Sequence, residues 1–226
     1  EFNAMSIPGG IDVPGAERAL RIHDIAPDPK TTVVVNCAGR TRSIIGAQSL
    51  INAGVKNRVV ALENGTMGWH LAGLELARGQ TQSFTPVSDE GLNRALECAK
   101  GVAARFEVPE IDVATLDKWR EDMTRTLYVL DVRGRREYEA GHLADARWAP
   151  GGQLVQATDR YVATLGARLV LVDDTGVVAT MTASWLVQMG WGDVAVLDGG
   201  RGGVDVGRQG VGVKAQSADR DVRGGE

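Results

Sequence analysis

The chain repeats one pattern of residues, about 136 positions further along. Four anchors keep this offset to within one residue: Pro14-Gly15 with Pro150-Gly151, Asn36 with Asp173, Gly54 with Gly190, and residues 62–65 with 197–200. Solenoid repeats are only about 20–50 residues long, so this period is too long for a solenoid. The repeat therefore predicts two copies of one domain.

Each copy contains a short β-branched strand, a loop, a helix and a second strand. In the first copy these are residues 32–36, the loop 37–42, a helix over 43–53 and a strand over 59–62. In the second copy they are residues 169–173, the loop 174–179, a helix over 180–189 and a strand over 194–197. Ser43 is expected to cap the first helix and Gly54 to follow its end. Buried β-branched strands alternating with helices predict an α/β fold, a parallel sheet flanked by helices.

The two copies are unequal at their front ends. The second copy opens with a helix near 114–123 and a strand over 127–132, and subtracting 136 from these positions leaves no residue for the first copy. We therefore expect the first domain to lack its N-terminal strand and helix. The predicted division is 1–87 for the first domain, 88–108 for a linker helix, 109–200 for the second domain and 201–226 for a glycine-rich, disordered tail. Residues 1–4, before Met5, are interpreted as a cloning remnant.

Composition narrows the class of protein. The chain has 25 Lys and Arg against 29 Asp and Glu, a net charge of −4, which argues against a nucleic-acid or anionic-membrane binder. Cys37 and Cys98 lie far apart and only three histidines are present, so we expect no metal site and no cofactor. The sequence lacks an apolar run of about 18 residues and a signal-peptide pattern. These features predict a cytoplasmic protein with reduced thiols.

The loop that starts at Cys37 carries the predicted chemistry. Its residues are Cys37, Ala38, Gly39, Arg40, Thr41 and Arg42, followed by Ser43. Backbone N–H groups of such a loop, together with a helix N-terminus, form an anion-binding cradle. Arg40 and Arg42 add two full positive charges, and a thiol at the base of this cradle should ionise readily. The pattern predicts a nucleophilic cysteine that attacks an anionic substrate.

At this point the sequence resembles the rhodanese family, in particular its multi-domain thiosulfate sulfurtransferases. The residues that carry the resemblance are Ile7-Pro8-Gly9-Gly10 with Pro14, the loop Cys37 to Arg42, Leu62-Glu63-Asn64-Gly65 on to Trp69, Asp131-Val132-Arg133, Glu137-Tyr138, Gly141-His142, Pro150 and Leu197-Asp198-Gly199-Gly200. The resemblance implies the family's fold, a five-stranded parallel sheet with helices on both faces. It also implies that Cys37 takes sulfur from thiosulfate as a persulfide and passes it to cyanide or a thiol acceptor. Ala38, Gly39, Arg40, Thr41, Arg42 and Ser43 would bind the substrate.

Loop length and charge discriminate among related chemistries. In cysteine phosphatases of this fold, five residues separate the cysteine from the arginine. Here only four residues separate Cys37 from Arg42, so the loop is one residue too short for that chemistry. Members of the family that use mercaptopyruvate tend to have a less charged loop, so Arg40 and Arg42 favour thiosulfate.

The second copy is expected to be catalytically silent. Asp174 stands where the first copy has Cys37, and Val177 and Ala179 replace the two arginines. We expect the Asp174 carboxylate to face the loop amides. A structural role is expected for Asp131, Arg133, Glu137 and His142, and packing roles are expected for Trp69 and Cys98. One alternative stays open at this stage: a sulfur-relay or regulatory protein-binding module with little thiosulfate turnover. A homodimer is also left open.

Overall fold

The computed structural model describes residues 2–84 and 86–199, which form seven strands and eight α-helices. The strands are β1 (Val33–Val35), β2 (Val59–Ala61), β3 (Glu110–Ile111), β4 (Leu127–Asp131), β5 (Arg147–Trp148), β6 (Arg168–Val172) and β7 (Val194–Leu197). The helices are α1 (Arg18–Ile25), α2 (Thr41–Asn52), α3 (Gly65–Leu71), α4 (Asp89–Phe106), α5 (Val113–Glu121), α6 (Arg135–Ala140), α7 (Gly151–Gln156) and α8 (Val177–Gln188). The predicted tail over 201–226 lies outside the described residues.

We call β3–β7 with α5–α8 the second unit. Its five strands are all parallel, in the order β3-β7-β6-β4-β5. The central strands are apolar along almost their whole length because both faces of the sheet are covered. One core lies between the sheet and α7 and α8, and a second lies between the opposite face and α5. The expected five-stranded parallel fold is confirmed in this unit.

We call β1 and β2 with α1–α3 the first unit. Its two strands are parallel and pair Val33 with Val59 and Val35 with Ala61. Two isolated bridges, antiparallel between Ser6 and Ala77 and parallel between Asp12 and Ser83, join the N-terminal segment to residues 77–83. In the part of the chain that the structure describes, this unit has no strand equivalent to β3 or β4.

The two units pack through equivalent positions. A Cβ added at Gly152 would lie 3.7 Å from the Cα of Gly15, and one at Gly151 would lie 2.9 Å from the Cβ of Ala16. These two contacts are reciprocal under the offset of 136, as in an isologous interface about a two-fold axis. The indole Nε1 of Trp185 donates a 2.8 Å hydrogen bond to the Oγ of Ser49, which is its own counterpart 136 residues earlier.

Helix α4 connects the two units and also contributes to the core between them. Ser88 caps it by accepting a hydrogen bond from the Gly91 amide and donates one to Asp24. The buried side chains of α4 face α1 and α8, where they join core clusters from both units: Ala95, Ala99 and Val102. Helix α4 therefore contributes side chains to the hydrophobic cores of both units.

The predicted helix start at Ser43 is wrong by two residues. Helix α2 begins at Thr41, so the end of the six-residue loop forms the first helical turn. Ser43 does not cap the helix because its hydroxyl donates to the carbonyl of Arg40 instead. In the second unit α8 likewise begins at Val177, three residues earlier than predicted. Within residues 2–84 and 86–199, none of the helices has the length and apolar character required to cross a membrane.

Substitution of Gly151 by alanine should destabilise the contact between the units. The added Cβ would lie 2.3 Å from the Oγ1 of Thr182 and 2.9 Å from the Cβ of Ala16, so buried groups must move. We expect Gly151→Ala to lower the free energy of unfolding by about 1–3 kcal/mol, as is typical of overpacking. Urea unfolding followed by tryptophan fluorescence measures this change.

Gly101→Ala provides the control for this measurement. Gly101 is exposed on α4 and nothing lies within 4 Å of its added Cβ. Alanine should therefore raise helix stability there by about 0.5–1 kcal/mol. Equal stability of the two variants would contradict the close contact between the units.

Candidate functional site

Cys37 lies two residues beyond the end of β1, at the base of the loop that leads into α2. Its Sγ is 3.5 Å from the Oγ of Ser43, which in turn donates a 2.8 Å hydrogen bond to the carbonyl of Arg40. Ser43 is completely buried, whereas Cys37 is half-buried and therefore open to a reactant. The hydroxyl of Ser43 thus faces the sulfur and not the solvent.

The surroundings of Cys37 favour its thiolate. Partial burial raises the pKa of the thiol, but the hydroxyl and amide of Ser43, the amide of Gly39 and the charge of Arg42 together outweigh burial. The resulting pKa of Cys37 is lower than the ordinary thiol value. A lowered pKa supplies the nucleophilic form of cysteine near neutral pH.

The turn after β2 holds the cysteine loop in place. The amides of Thr66 and Met67 donate to the carbonyls of Cys37 and Ala38 at 2.9 and 3.0 Å. Gly65 has a φ of +57°, and a Cβ there would lie only 2.1 Å from the Cys37 oxygen and 2.3 Å from the Gly39 oxygen. Only glycine therefore lets the two turns approach this closely.

A cavity of about 950 Å³ opens beside Cys37. Of the predicted substrate-binding residues, Ala38 and Arg42 line it together with Cys37. Arg40 and Thr41 are exposed on the outer side of the loop, Ser43 is buried behind the sulfur, and Gly39 contributes its amide to the sulfur. The second unit also contributes to the walls of the cavity, through residues that include Arg133 and Trp185.

Trp69, predicted to have a packing role, also lines this cavity. Its indole Nε1 donates a 2.8 Å hydrogen bond to the carbonyl of Glu75, which fixes the ring beyond the end of α3. His70, next to it, is exposed.

Arg18 is a site residue that sequence reasoning missed. Its side chain lies against Gly46, where an added Cβ would be 1.9 Å from Nη1, and it lines the same cavity as Cys37. Burial lowers the pKa of Arg18, and the negative charge of Cys37 acts in the opposite direction. The counterpart of Arg18 at the offset of 136 is Leu154, which is completely buried. The sequence did contain a signal for Arg18, because an arginine stands there at the position where the second copy has an apolar leucine, Leu154.

In the second unit the equivalent loop is filled by the protein's own carboxylate. Asp173 accepts hydrogen bonds from the amides of Gly176 and Val178, at 2.5 and 2.9 Å. Burial raises the pKa of Asp173, while these hydrogen bonds act to lower it. The expectation that Asp174 faces the loop amides is wrong, because Asp173 occupies that position and Asp174 pairs with Arg133 instead.

Asp131 and Arg133 form a buried ion pair at the end of β4. The guanidinium donates to both oxygens of Asp131, to Asp174 and to the carbonyl of Gly141. Burial opposes the charge of Arg133, but the two carboxylates outweigh burial and raise its pKa. His142 stacks on Tyr138 at a ring distance of 3.9 Å. These contacts fit the structural role predicted for this segment.

The two cysteines should differ in their alkylation by iodoacetamide as the pH is varied. Burial raises the pKa of Cys98, and nearby Glu97 raises it further, whereas the pKa of Cys37 is lowered. Iodoacetamide reacts with the thiolate, so as the pH falls from about 9 to about 6 Cys98 should lose reactivity first and Cys37 last. Peptide mass spectrometry measures both residues in one sample. Retention of Cys98 labelling to a lower pH than Cys37 would contradict this assignment.

Gly65→Ala should displace the cysteine loop. The new methyl group cannot fit against the carbonyls of Cys37 and Gly39, so the loop amides move away from the sulfur and the alkylation midpoint of Cys37 rises toward that of an ordinary thiol. Gly54→Ala is the matched control, since Gly54 also has a positive φ, +74°, but nothing lies within 4 Å of its added Cβ. An unchanged midpoint in folded Gly65→Ala protein would show that the close approach does not shape the site.

Comparison with known proteins agrees with this geometry. The Rhodanese-like domain family matches residues 1–72 and 112–204. The thiosulfate sulfurtransferase of Pseudomonas aeruginosa is 59% identical in sequence, with a TM-score of 0.84. The match covers 88% of this chain and 38% of that protein, so the chain spans well under half the length of this relative. A search of curated proteins finds no match.

More distant structures are similar over single regions or at low identity. The human single-domain sulfurtransferase is 21% identical over 41% of this chain and 91% of its own, with a TM-score of 0.36. The Escherichia coli protein described as a 3-mercaptopyruvate sulfotransferase is 16% identical over 88% of this chain and 83% of its own, with a TM-score of 0.37. The family match over both units and the high identity to the Pseudomonas protein show that the chain belongs to the rhodanese-like domain family.

Proposed function

We propose that this chain is a thiosulfate sulfurtransferase that carries sulfur on Cys37. The observation that carries the proposal is a thiol with a lowered pKa that opens onto a cavity lined by Arg42 and Arg18. A thiolate beside guanidinium groups suits a substrate that is both anionic and electrophilic at sulfur. The 59% identity to the Pseudomonas aeruginosa thiosulfate sulfurtransferase supports the same substrate.

In the first step the Cys37 thiolate attacks the outer sulfur of thiosulfate. A sulfur–sulfur bond forms to Cys37 as the bond between the two thiosulfate sulfurs breaks, and sulfite leaves with that electron pair. Charge therefore moves from the cysteine to the departing sulfite. Arg42 and Arg18 lie where they can stabilise this charge, which is the role of preorganised cations in anionic transition states.

The persulfide formed on Cys37 is an anion and remains in the loop. The amides of Gly39 and Ser43 point at the cysteine sulfur and can hold the persulfide anion there. In the second step cyanide or a thiolate attacks the outer sulfur and Cys37 leaves as a thiolate. With cyanide the product is thiocyanate. The two half-reactions share a covalent intermediate, so ping-pong kinetics are expected.

The second unit takes no chemical part in this proposal. Its loop amides already bind Asp173, and Asp174 is paired with Arg133, so neither a sulfur nucleophile nor a free anion cradle is present there. Its residues Arg133 and Trp185 instead help to enclose the cavity of the first unit. A cytoplasmic location and a thiol acceptor are part of the proposal, and a homodimer stays a prediction.

Intact-mass spectrometry after thiosulfate treatment tests the proposal. The wild-type chain should gain about 32 Da, one sulfur, and cyanide should remove this mass as thiocyanate. Cys37→Ser should gain nothing, because a hydroxyl in this loop cannot carry sulfane sulfur. Cys98→Ser is the matched control and should gain the same mass as wild type.

Two results would speak against this function. Absence of the added mass in folded wild-type protein would exclude thiosulfate as the donor. If a protein persulfide donor then loaded Cys37 rapidly, the sulfur-relay function would replace thiosulfate turnover.

A further inference from the structure

The strand that leads into the loop is followed by an amide side chain in the first unit and by a carboxylate in the second. Asn36 follows β1 and Asp173 follows β6, and the two residues correspond under an offset of 137. Asparagine and aspartate have nearly the same shape, but only aspartate carries a negative charge. In this protein the two side chains have different hydrogen-bond partners.

In the second unit the carboxylate is bound by the loop. Asp173 accepts hydrogen bonds from the amides of Gly176 and Val178, at 2.5 and 2.9 Å, and is only 2% exposed. These amides lie at the N-terminus of α8, where N–H groups without helical partners favour a negative charge. The loop amides of the second unit are therefore already used by a side chain of the same segment.

In the first unit the corresponding amide has a different partner. Gly39 and Thr41 are the counterparts of Gly176 and Val178 under the same offset of 137. The amide of Gly39 bonds to the sulfur of Cys37. The Oδ1 of Asn36 accepts no hydrogen bond from any residue that the structure describes. One amide position in the loop thus stabilises a sulfur in the first unit and a carboxylate in the second.

Thr66, in the first turn of α3, holds the side chain of Asn36. The Nδ2 of Asn36 donates a 3.0 Å hydrogen bond to the Oγ1 of Thr66, and this hydroxyl donates to the carbonyl of Cys37 at 3.3 Å. Because the hydroxyl has a single proton, it must accept from Asn36, and the NH₂ group of the amide therefore faces Thr66. An ionised aspartate has no proton to donate, so only the uncharged amide can make this contact.

A carboxylate at position 36 would compete with the sulfur for the loop amides. Two backbone amides beside a helix N-terminus offer a carboxylate two charge-assisted hydrogen bonds, whereas the hydroxyl of Thr66 offers one. We expect such a carboxylate to accept from Gly39, as Asp173 does from Gly176. Its charge would also disfavour the thiolate of Cys37. The neutral side chain of Asn36 avoids both effects.

We propose that Asn36 is a positioning residue that keeps the loop amides free for Cys37, and that a carboxylate at this single position converts the loop into the self-occupied form of the second unit. The consequence for sulfur loading rests on the function proposed above. Asn36 acts through the loop amides and not by contact with the reacting sulfur.

Asn36→Asp tests the proposal by NMR and by alkylation. In the wild-type chain the amide proton resonance of Gly39 should shift over the pH range in which Cys37 ionises, since this amide bonds to the sulfur. In Asn36→Asp the resonance should no longer follow Cys37 and should move downfield, toward that of Gly176. The alkylation midpoint of Cys37 should rise by at least about one pH unit, and loading by thiosulfate at neutral pH should slow at least about tenfold.

Asn64→Asp is the matched control. Asn64 is exposed at the start of α3, makes no side-chain capping hydrogen bond and has a φ of +54°, which aspartate also tolerates. The substitution adds the same charge to the chain, on an exposed side chain that solvent screens. The Gly39 resonance should still follow Cys37, and the alkylation midpoint should move by less than about 0.3 pH unit. Circular dichroism verifies that both variants fold.

Asp173→Asn is the reciprocal variant, and it tests the proposal even if Asn36→Asp fails to fold. A neutral amide oxygen is a weaker acceptor than a carboxylate, so the amide proton resonance of Gly176 should move upfield. An unchanged Gly176 resonance in the folded variant would overturn the proposal, because the charge of the side chain would then not decide what the loop amides bind.

Three results with folded Asn36→Asp would also overturn the proposal. They are a Gly39 resonance that still follows Cys37, an unchanged alkylation midpoint, and a midpoint that rises no further than it does in Asn64→Asp. The NMR and alkylation measurements need no thiosulfate. Failure of thiosulfate to load wild-type Cys37 would therefore contradict the proposed function and leave the role of Asn36 standing.

Discussion

The packing of the two units through equivalent residues is the constraint on which the first unit depends. Among its described residues the first unit has two paired strands and buries little surface within its own sheet. Helices α4 and α8 supply much of the remaining cover. Small residues at the centre of the contact, Gly15, Gly151 and Gly152, allow the backbones to approach closely. The same approach brings Arg133 and Trp185 to the cavity beside Cys37. The second unit thus serves as a structural support for the unit that contains Cys37.

The two copies use one loop geometry for opposite purposes. In the first, the amides of Gly39 and Ser43 hydrogen-bond a sulfur atom that is open to the cavity, and arginines lie nearby. In the second, the strand-end carboxylate of Asp173 accepts those hydrogen bonds internally. A side chain that fills the anion cradle stabilises the loop but leaves no room for a substrate. The second unit therefore differs from the first in two respects: a carboxylate fills its loop, and the cysteine is replaced.

The sulfur site illustrates a balance between burial and hydrogen bonding. Burial alone would protonate Cys37, as it does Cys98, and a protonated thiol is a poor nucleophile. The close approach of Gly65 to the loop carbonyls holds the amides in the orientation that reverses this preference. Arg18, which replaces a core leucine of the other copy, adds positive charge without lengthening the loop.

The sequence by itself determined the duplication, the parallel α/β class and the cysteine loop, because each depends on a local pattern: an offset, a β-branched run or a spacing. The predicted start of α2 and the predicted partner of Asp174 were wrong. The hydroxyl of Ser43 bonds to the Arg40 carbonyl and Asp174 pairs with Arg133, and such hydrogen bonds cannot be predicted from residue spacing. Only the tertiary structure brought Arg18 to the cavity beside Cys37. Such contacts join residues that are distant in the chain. They depend on how the helices and strands pack, and no local sequence pattern predicts that packing.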